Sequence, residues 1–220
     1  MKHIIIIGTG AVAAEITYNM ELSQYRCDGE EIEIKWYLEF DYNIEKYYNV
    51  YGFKAPILGD VYSYTPQQDD YFVAGIANAE FRMQMIRLIR EKGGNFINLI
   101  HPSCIVAKSA KIGVGNILSS YCLIGPNAVV GSYNLLTSYS AISHDCIVGD
   151  NNSFSSVIVC GHAKIGDNNQ FYIRSTVQPG IEIGSNCIIQ AGMMVDKNLK
   201  NDSTLFYRFK EKTIAVPKLD

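Results

Sequence analysis

Residues 142–154 read ISHDCIVGDNNSF, and the apolar residues Ile142, Val148 and Phe154 follow one another at intervals of six. The same interval extends through most of the second half of the chain. One series ends at Phe154, and after a single five-residue step a second begins: Val106, Ile112, Leu118, Ile124, Val130, Leu136, Ile142, Val148 and Phe154, then Val159, Ile165, Phe171, Val177, Ile183, Ile189 and Val195. Repeats this short are typical of a parallel β-helix, in which each coil stacks on the next. With three repeats per coil, the series predicts about five coils.

A second pattern lies two residues before these apolar residues, where the side chain is small or compact. Four of the six cysteines occupy this position: Cys104, Cys122, Cys146 and Cys187. The sequence has no CxxC pair, and a buried free cysteine packs as a small hydrophobic side chain. The pattern therefore favours core packing over disulfides or metal ligation for these cysteines.

The overall composition narrows the class of protein. Hydrophobic residues make up 48% of the 220 residues, which is enough for a sizeable core. A net charge of −3 without a basic run argues against nucleic-acid binding, and no apolar stretch approaches a membrane span. The N-terminal run MKHIIIIGTG lacks a plausible signal-peptide cleavage site and is typical of a buried strand. We therefore expect a soluble cytoplasmic protein.

The first 100 residues follow a different pattern from the repeat. An apolar strand at Ile4–Ile7 leads through a glycine turn into a helical stretch ending at Met20, and an alternating strand covers 32–38. A further strand near 71–75 and a helix near 78–91 complete an α/β alternation that predicts a parallel sheet. This length suits one mononucleotide-binding half of a Rossmann-like fold. Three segments are predicted: a Rossmann-like domain at 1–100, a β-helix at 101–198 and a tail of mixed character at 199–220.

The first glycine turn carries a candidate nucleotide site. Residues 8–13, GTGAVA, fit the dinucleotide fingerprint G-x-G-x-x-G/A, in which backbone N–H groups at a helix start can bind a phosphate. Gly8 and Gly10 supply the glycines, and Glu39, at the end of the second strand, is suited to accept a ribose hydroxyl. An ordinary strand-to-helix turn remains the alternative. Asn78 and Arg82 are weaker candidates, for which a helix cap and a surface charge are the favoured interpretations.

A resemblance extends over essentially the whole chain. The six-residue series, together with IIIIGTG, YLEFD, NLIHPSCIVAKSAKIG and ISHDCIVGD, resembles the hexapeptide-repeat acyltransferases of left-handed β-helix fold. Within them it is most similar to bacterial sugar-nucleotide acetyltransferases, such as those acetylating UDP-4-amino-sugars on the route to bacillosamine, and to sialic acid O-acetyltransferase relatives. The resemblance implies transfer from acetyl-CoA to an amino group or hydroxyl of a nucleotide-linked sugar in glycan biosynthesis. It also implies a homotrimer with acetyl-CoA between neighbouring β-helices, a sugar nucleotide held partly by the N-terminal domain, and no metal.

His144 is the candidate general base for this chemistry. Acyl transfer needs a base, a donor for the oxyanion and a means of holding both substrates. An imidazole titrates near neutrality, and His144 stands two residues after Ile142, off the core-facing positions. The resemblance assigns His144 and Asp145 as the catalytic pair, although neighbours in sequence need not hydrogen-bond each other. A solvated surface pair is the alternative.

The resemblance also supplies candidates for binding the acetyl donor. It implies that the Gly161 N–H binds the thioester carbonyl and that Ile173 and Ala191 contact coenzyme A. The alternatives are an ordinary turn glycine and routine β-helix lining. Among the other histidines, His101 at the domain junction is interpreted as structural, and His162 lies beside Gly161.

Several positions depart from the family pattern. Val12 and Ser153 stand where the family often has histidine, Thr137 stands where it often has asparagine, and the five-residue step after Phe154 is predicted to lie close to the acetyl site. These departures leave open which sugar and nucleotide are used, and whether nitrogen or oxygen is acylated. Two alternatives therefore stay open: an acyltransferase with a non-nucleotide acceptor, and a non-catalytic β-helix scaffold. A metal-dependent hydratase is disfavoured because the repeat is poorly supplied with histidines.

Overall fold

A computed structural model describes residues 2–23, 25–27, 30–40 and 49–207. Within these ranges the N-terminal region is a mainly parallel sheet with a helix on each face. Its elements are β1 (Lys2–Ile7), α1 (Ala11–Leu22), β2 (Arg26–Cys27), β3 (Glu30–Glu39), β4 (Ile57–Asp60), β5 (Tyr71–Ala74), α2 (Ala79–Glu91) and β6 (Asn95–Phe96). The strand order is β2-β3-β1-β5-β6, with β4 also paired to β3, and the β2–β3 pair alone is antiparallel among those described. The predicted parallel sheet is confirmed.

The central strand explains why α1 and α2 cover opposite faces. The apolar run Ile4–Ile7 is completely buried, as expected of a parallel strand covered on both sides. Ile4 and Ile6 pack with residues of α1, whereas Ile5 and Ile7 pack with residues of α2. The β1 side chains alternate between faces, so one short apolar run anchors both helices.

The second part of the chain is a parallel β-helix built from three sheets of seven, six and five short strands. The first sheet contains β7 (Leu99–Ile100), β10 (Ile117–Leu118), β13 (Leu135–Leu136), β16 (Ser153–Phe154), β19 (Gln170–Phe171), β22 (Ile188–Ile189) and β24 (Thr204–Leu205). The second contains β8 (Ile105–Val106), β11 (Leu123–Ile124), β14 (Ala141–Ile142), β17 (Ile158–Val159), β20 (Thr176–Val177) and β23 (Met194–Val195). The third contains β9 (Lys111–Ile112), β12 (Val129–Val130), β15 (Ile147–Val148), β18 (Lys164–Ile165) and β21 (Glu182–Ile183). The β-helix predicted from the repeat is confirmed.

The limits of the β-helix are wider than predicted. Its first strand starts at Leu99 and its last ends at Leu205, so seven strands stack in the first sheet and define six coils, against about five expected. The predicted tail, 199–220, therefore begins inside the β-helix: Leu199 bridges to Ile183, and β24 pairs with β22. Residues 208–220 lie outside the described ranges.

The corners of the coils share one backbone feature. At most corners one residue adopts a left-handed backbone with φ near +60°.

The first corner lies between the first and second sheets and has Tyr121, Tyr139, Ser156, Arg174 and Gly192 in that position. The second corner, between the second and third sheets, has Asn127, Asp145, His162 and Gly180. The third corner has Gly115, Tyr133, Asn151, Asn168, Asn186 and Asp202. Asparagine tolerates this backbone well, which explains its frequency at the corners. Glycines such as Gly131 and Gly149 have another role, because a Cβ there would meet the backbone of the next coil at 2.7–2.9 Å.

The five-residue step shortens one turn of the first corner and leaves the strands in register. Ala141 pairs with Ile158 and Ile142 with Val159, as they would in an unbroken repeat. Val157, at the end of the short turn, is fully buried. The step thus lies on the first corner, below Arg174, whose N–H donates to the carbonyl of Ser155 over 3.2 Å. Within one chain the step lies on the first corner and His144 on the second, and its closeness to the acetyl site stays a prediction.

The core of the β-helix is formed by the six-residue series. From Leu118 to Val195 every residue of the series is buried. Cys122, Cys146 and Cys187 are buried beside it and Cys104 is partly buried; the five cysteines with described side chains are all free. The prediction that these four cysteines fill the core is confirmed.

A ladder of asparagines runs up the third corner within the core. Asn98, Asn116, Asn134, Asn152 and Asn169 stack at this corner. The Oδ1 atom of Asn134 accepts from both the backbone N–H and the side-chain amide of Asn152, at 2.8 and 3.1 Å. Its Nδ2 donates to Asn116 Oδ1 and to the Gly149 carbonyl at 3.1 and 3.0 Å. Buried amides therefore satisfy the polar backbone where the chain turns.

The N-terminal region packs on the first sheet and the third corner. Leu99, Ile117 and Leu135, on the outer face of the first sheet, belong to the same apolar cluster as β1 and α1. At the third corner, Tyr133 packs edge-on against Phe96, and its hydroxyl accepts from Arg90 Nη1 at 2.7 Å. The second corner is therefore the edge of the coil farthest from the N-terminal region of the same chain.

Arg82 is the principal polar link between the two regions, and the surface-charge interpretation of this residue is wrong. Arg82 lies on α2 and is only 1% exposed. At the start of this helix Asn78 is the N-cap and accepts from the Phe81 N–H at 2.8 Å, as expected. Arg82 Nε donates to Asn151 Oδ1 at 3.1 Å and Nη2 to Ser153 Oγ at 3.1 Å, while Nη1 donates to the Ile76 carbonyl at 3.1 Å. Burial lowers the pKa of Arg82 to about 10, which still leaves the guanidinium charged at neutral pH.

Replacing Arg82 by methionine is expected to lower the free energy of unfolding by about 2–3 kcal/mol, because buried acceptors lose their charged donor. Chemical denaturation followed by circular dichroism measures the change. The matched control is Arg87→Met, an exposed position on the same helix, with an expected change within about 0.5 kcal/mol. Equal stability of the two variants would contradict the linking role of Arg82.

Candidate active site

The second corner places His144, Asp145, Gly161 and His162 on consecutive coils. The His162 N–H donates to the His144 carbonyl at 3.1 Å, as the Asp145 N–H donates to the Pro126 carbonyl at 2.9 Å one coil earlier. These bonds hold the backbone of the corner in a fixed stack. The side chains point away from the core, since His144 and Asp145 are 54% and 38% exposed.

His144 and Asp145 form the hydrogen-bonded pair that sequence adjacency alone could not establish. Nδ1 of His144 lies 2.8 Å from Oδ2 of Asp145, and Asn127 Nδ2 donates to the other carboxylate oxygen at 3.2 Å. The bonds from His144 and Asn127 hold the pKa of the Asp145 carboxyl below its usual range. An ionised carboxylate accepts, so Nδ1 is the donor and Nε2 of the neutral ring is left with a free lone pair.

Gly161 lies directly against the imidazole of His144. A Cβ atom built on Gly161 would fall 2.5 Å from Cε1 and 2.6 Å from Nε2 of that ring. The backbone of Gly161 does not adopt a positive φ, so glycine is needed here for space and not for conformation. A larger residue at this position cannot coexist with the observed position of His144.

The N–H of Gly161 has no hydrogen-bond acceptor among the described residues. The neighbouring coils explain why the fold does not need this donor. The equivalent position is Pro126 two coils below and Pro179 one coil above, and proline has no N–H. The residue with the free donor therefore packs against the Cε1–Nε2 edge of the His144 ring, and acyl transfer needs a donor and a base this close together.

Ile173 and Ala191 lie elsewhere on the coil. Both are exposed and both belong to the first corner, where the Gly192 N–H donates to the Ile173 carbonyl at 2.9 Å. Ile173 and Ala191 therefore lie close to each other. Within one chain they are on a different corner from His144 and Gly161. The five-residue step stands one coil below Ile173 and two coils below Ala191.

The sugar-nucleotide candidates converge at the carboxyl edge of the N-terminal sheet. Gly8 adopts φ +93° after β1, and Gly10 is the N-cap of α1. Glu39 is only 7% exposed; its carboxylate accepts from the Thr9 hydroxyl and from the Phe40 N–H, the latter at 2.9 Å. Glu39 thus contacts the glycine loop through Thr9 and is already engaged by it, and the role of Gly8, Gly10 and Glu39 in binding a sugar nucleotide stays a prediction.

The departures from the family pattern have structural roles in this chain. Ser153 is buried and bonded to Arg82. Thr137 Oγ1 accepts from the Ser156 N–H at 3.1 Å within the shortened turn. Val12 packs against the core beneath α1. His101 bonds Ser103 and Ser23 and packs edge-on against Tyr25, in keeping with its structural interpretation.

Sequence reasoning missed two features of the site region. Arg82 was placed on the surface, because helical periodicity cannot show that a second region covers this face. The perpendicular packing of His162 on His144, with ring centroids 5.1 Å apart, was also not foreseen. The 17- or 18-residue spacing of corner positions was the available signal, because it stacks residue 162 on residue 145.

The sequence matches one family model, and the fold matches solved structures. The bacterial transferase hexapeptide (six repeats) family model matches residues 162–192. No curated protein matches the chain. A histidine-to-asparagine mutant of perosamine N-acetyltransferase from Caulobacter crescentus, in complex with CoA and GDP-perosamine, has a TM-score of 0.77 at 20% identity, with 93% of each chain covered.

Two further solved structures share the architecture. The acetyltransferase domain of PglB from Neisseria gonorrhoeae FA1090, in complex with acetyl coenzyme A, has a TM-score of 0.75 at 17% identity, covering 92% of this chain and 95% of that one. WeeI from Acinetobacter baumannii AYE has a TM-score of 0.57 at 17% identity, covering 93% and 96%.

The repeat and the fold define a structural class. The chain carries hexapeptide repeats of the bacterial transferase type, folded as a left-handed parallel β-helix behind a smaller N-terminal α/β region. The predicted resemblance to hexapeptide-repeat sugar acetyltransferases is confirmed at the level of repeat and fold. Within the described ranges, no helix is long and apolar enough to span a lipid bilayer.

Proposed function

We propose that this protein transfers an acetyl group from acetyl-CoA to the amino group of a nucleotide-linked sugar. One observation carries the proposal: the free Nε2 of His144, oriented by Asp145, lies beside the free N–H of Gly161. A base and an oxyanion donor at adjacent positions are the two groups that acyl transfer requires. The similar structures with bound CoA, acetyl coenzyme A and GDP-perosamine support this choice of substrates.

In the proposed reaction His144 first accepts a proton and later returns it, and Gly161 donates a hydrogen bond to the intermediate. Nε2 of His144 takes a proton from the amine as its nitrogen attacks the thioester carbonyl carbon, and the carbonyl oxygen becomes an oxyanion that accepts from the Gly161 N–H. The intermediate collapses with cleavage of the carbon–sulfur bond. The departing thiolate receives the proton held by His144, which leaves the N-acetyl sugar and free CoA. Asp145 stabilises the imidazolium between the two proton transfers.

The position of the N-terminal region supports a homotrimer. The glycine loop and Glu39 belong to the region that packs on the first sheet, whereas His144 stands on the opposite edge of the same coil. A sugar nucleotide held at residues 1–100, proposed to be a Rossmann-like domain, would therefore meet the base of a neighbouring copy. The same packing would bring Ile173 and Ala191 of one copy to the groove where His144 of the next binds acetyl-CoA. The free cysteines are consistent with a proposed cytoplasmic location.

A direct assay tests the proposal. Purified protein is incubated with acetyl-CoA and a panel of GDP-, UDP- and dTDP-linked amino sugars, and CoA release and N-acetyl product are followed by mass spectrometry. We expect turnover with at least one nucleotide-linked amino sugar and none with the free sugar. Turnover of free sugars alone would favour the non-nucleotide alternative. Absence of all turnover, with acetyl-CoA bound or not, would overturn the proposed activity.

The space at Gly161 gives a second test. Gly161→Ala puts a methyl group onto the ring of His144, so we expect the ring to move and kcat to fall by at least 10-fold. Turnover measured with saturating substrates gives the change. The matched control is Gly59→Ala, where an added Cβ would meet nothing within 4 Å, and it should retain normal turnover. Normal kcat in Gly161→Ala would exclude the proposed arrangement.

A further inference from the structure

The second corner carries a group of metal-binding side chains that acetyl transfer does not fully employ. His144, Asp145 and His162 each present one nitrogen or oxygen atom, and these atoms all lie within 4.8 Å of one another. In the part of the chain that the structure describes, no other group of three such residues meets this condition. We propose that this cluster binds a divalent transition metal of the zinc type and that the bound ion blocks the base.

The chemistry of the three ligands determines which kind of metal ion the cluster binds. Two imidazoles and a carboxylate suit zinc and its neighbours, whereas magnesium and calcium prefer oxygen ligands alone. Zinc–nitrogen bonds of about 2.0–2.1 Å place two nitrogens on one ion about 3.4 Å apart. The three side chains are exposed, so none is held apart from the others by burial in the core.

The hydrogen bond between His144 and Asp145 already brings two ligand atoms together. Nδ1 donates to Asp145 at 2.8 Å, and Asn127 holds the same carboxylate from its other side at 3.2 Å. An ion that takes the place of the Nδ1 proton binds the nitrogen and the carboxylate together, and the ring then carries its proton on Nε2.

His162 supplies the second nitrogen from the next coil. Its ring stands at 87° to that of His144, and its backbone adopts φ +62° at a position where the coil two below has Asn127. Asparagine tolerates this backbone without strain and binds zinc weakly. His162→Asn is therefore a variant that removes a ligand and preserves the turn.

Zinc binding and enzyme inhibition are separable consequences. Binding depends only on the geometry of the cluster. Inhibition rests on the proposed function, because a ring bound to the ion through Nδ1 carries its proton on Nε2 and cannot take one from the amine.

Calorimetric titration of the full-length, tag-free protein with zinc chloride tests the binding. We expect one site per chain, an affinity at least 10-fold weaker in His162→Asn and in His144→Gln, and no change in His3→Gln, whose histidine lies on β1. Magnesium chloride should give no binding heat. Wild-type protein that binds no zinc, or His162→Asn protein that binds it equally well, would overturn the site.

A parallel acetyl-transfer assay separates this proposal from the proposed function. We expect zinc to abolish turnover of the wild type, EDTA to restore it, and His162→Asn to require at least 10-fold more zinc for the same fractional inhibition. Zinc binding to a protein without acetyl-transfer activity would overturn the function and retain the metal site. Normal turnover without zinc binding would do the reverse.

Discussion

Alanine in place of His144 is expected to lower kcat by 100-fold or more while the fold is retained. Loss of a general base typically costs 10²–10⁴ in rate, and the ring packed upon Gly161 is that of His144. The substitution itself is compatible with the fold, because the equivalent positions of neighbouring coils are occupied by Pro126, Gly161 and Pro179. Initial rates with the nucleotide-linked acceptor, measured against wild type, give the result.

The control for this prediction is His3→Gln, an exposed histidine on β1 that is paired with Glu33. It should leave turnover unchanged. Circular dichroism and acetyl-CoA binding should be normal in both variants, so that a loss of rate reports on the chemistry. Turnover of His144→Ala within a few-fold of wild type would remove His144 from the mechanism.

The second large effect concerns stability and falls on the asparagine ladder. Asn134→Ala should lower the free energy of unfolding by about 3 kcal/mol or more, because each buried polar group left without a partner costs about 1–3 kcal/mol. The Asn134 side chain makes four hydrogen bonds, at 2.8–3.1 Å, to Asn116, Gly149 and Asn152. Removing it leaves the Asn152 N–H and the Gly149 carbonyl unpaired. Urea denaturation measures the loss.

The top of the same ladder provides the matched control. Asn169 is equally buried, but its Nδ2 has no acceptor among the described residues, and its side chain accepts one bond, from the Cys187 N–H at 2.7 Å. Asn169→Ala should therefore cost about 1–2 kcal/mol, clearly less than Asn134→Ala. A larger loss at Asn169 would show that the volume of the amide, and not its hydrogen bonds, stabilises the corner.

The periodic part of the fold could be predicted from the sequence because one constraint repeats. Each coil places its apolar residue in the same environment, so the series from Leu118 to Val195 reveals the core without any knowledge of long-range contacts. The sequence shows that the turn after Phe154 is one residue short, but counting residues does not show which corner of the coil contains the shorter turn. The register retained at Ile142 and Val159 required the structure.

The site was predictable in its residues but not in its contacts. His144 and Asp145 stand out by type and phase, yet their hydrogen bond depends on the left-handed backbone of Asp145, which folds the carboxylate back to the ring. The burial of Arg82 depends on contact with Asn151, 69 residues later in the chain, and no local pattern contains that information. Glu39 was placed correctly at the strand end, but its engagement by Thr9 was not foreseen.

The second corner also indicates how such a protein can change over evolutionary time. On successive coils the left-handed residue of the second corner is Asn127, Asp145, His162 or Gly180, and the residue before it is proline, histidine or glycine. The strands keep one register throughout. Substitution at the second corner leaves the asparagine ladder and the apolar series untouched. New reactivity can therefore arise one coil at a time without passing through unstable ancestors, because the residues that maintain stability and those that face solvent at the corner are separate sets.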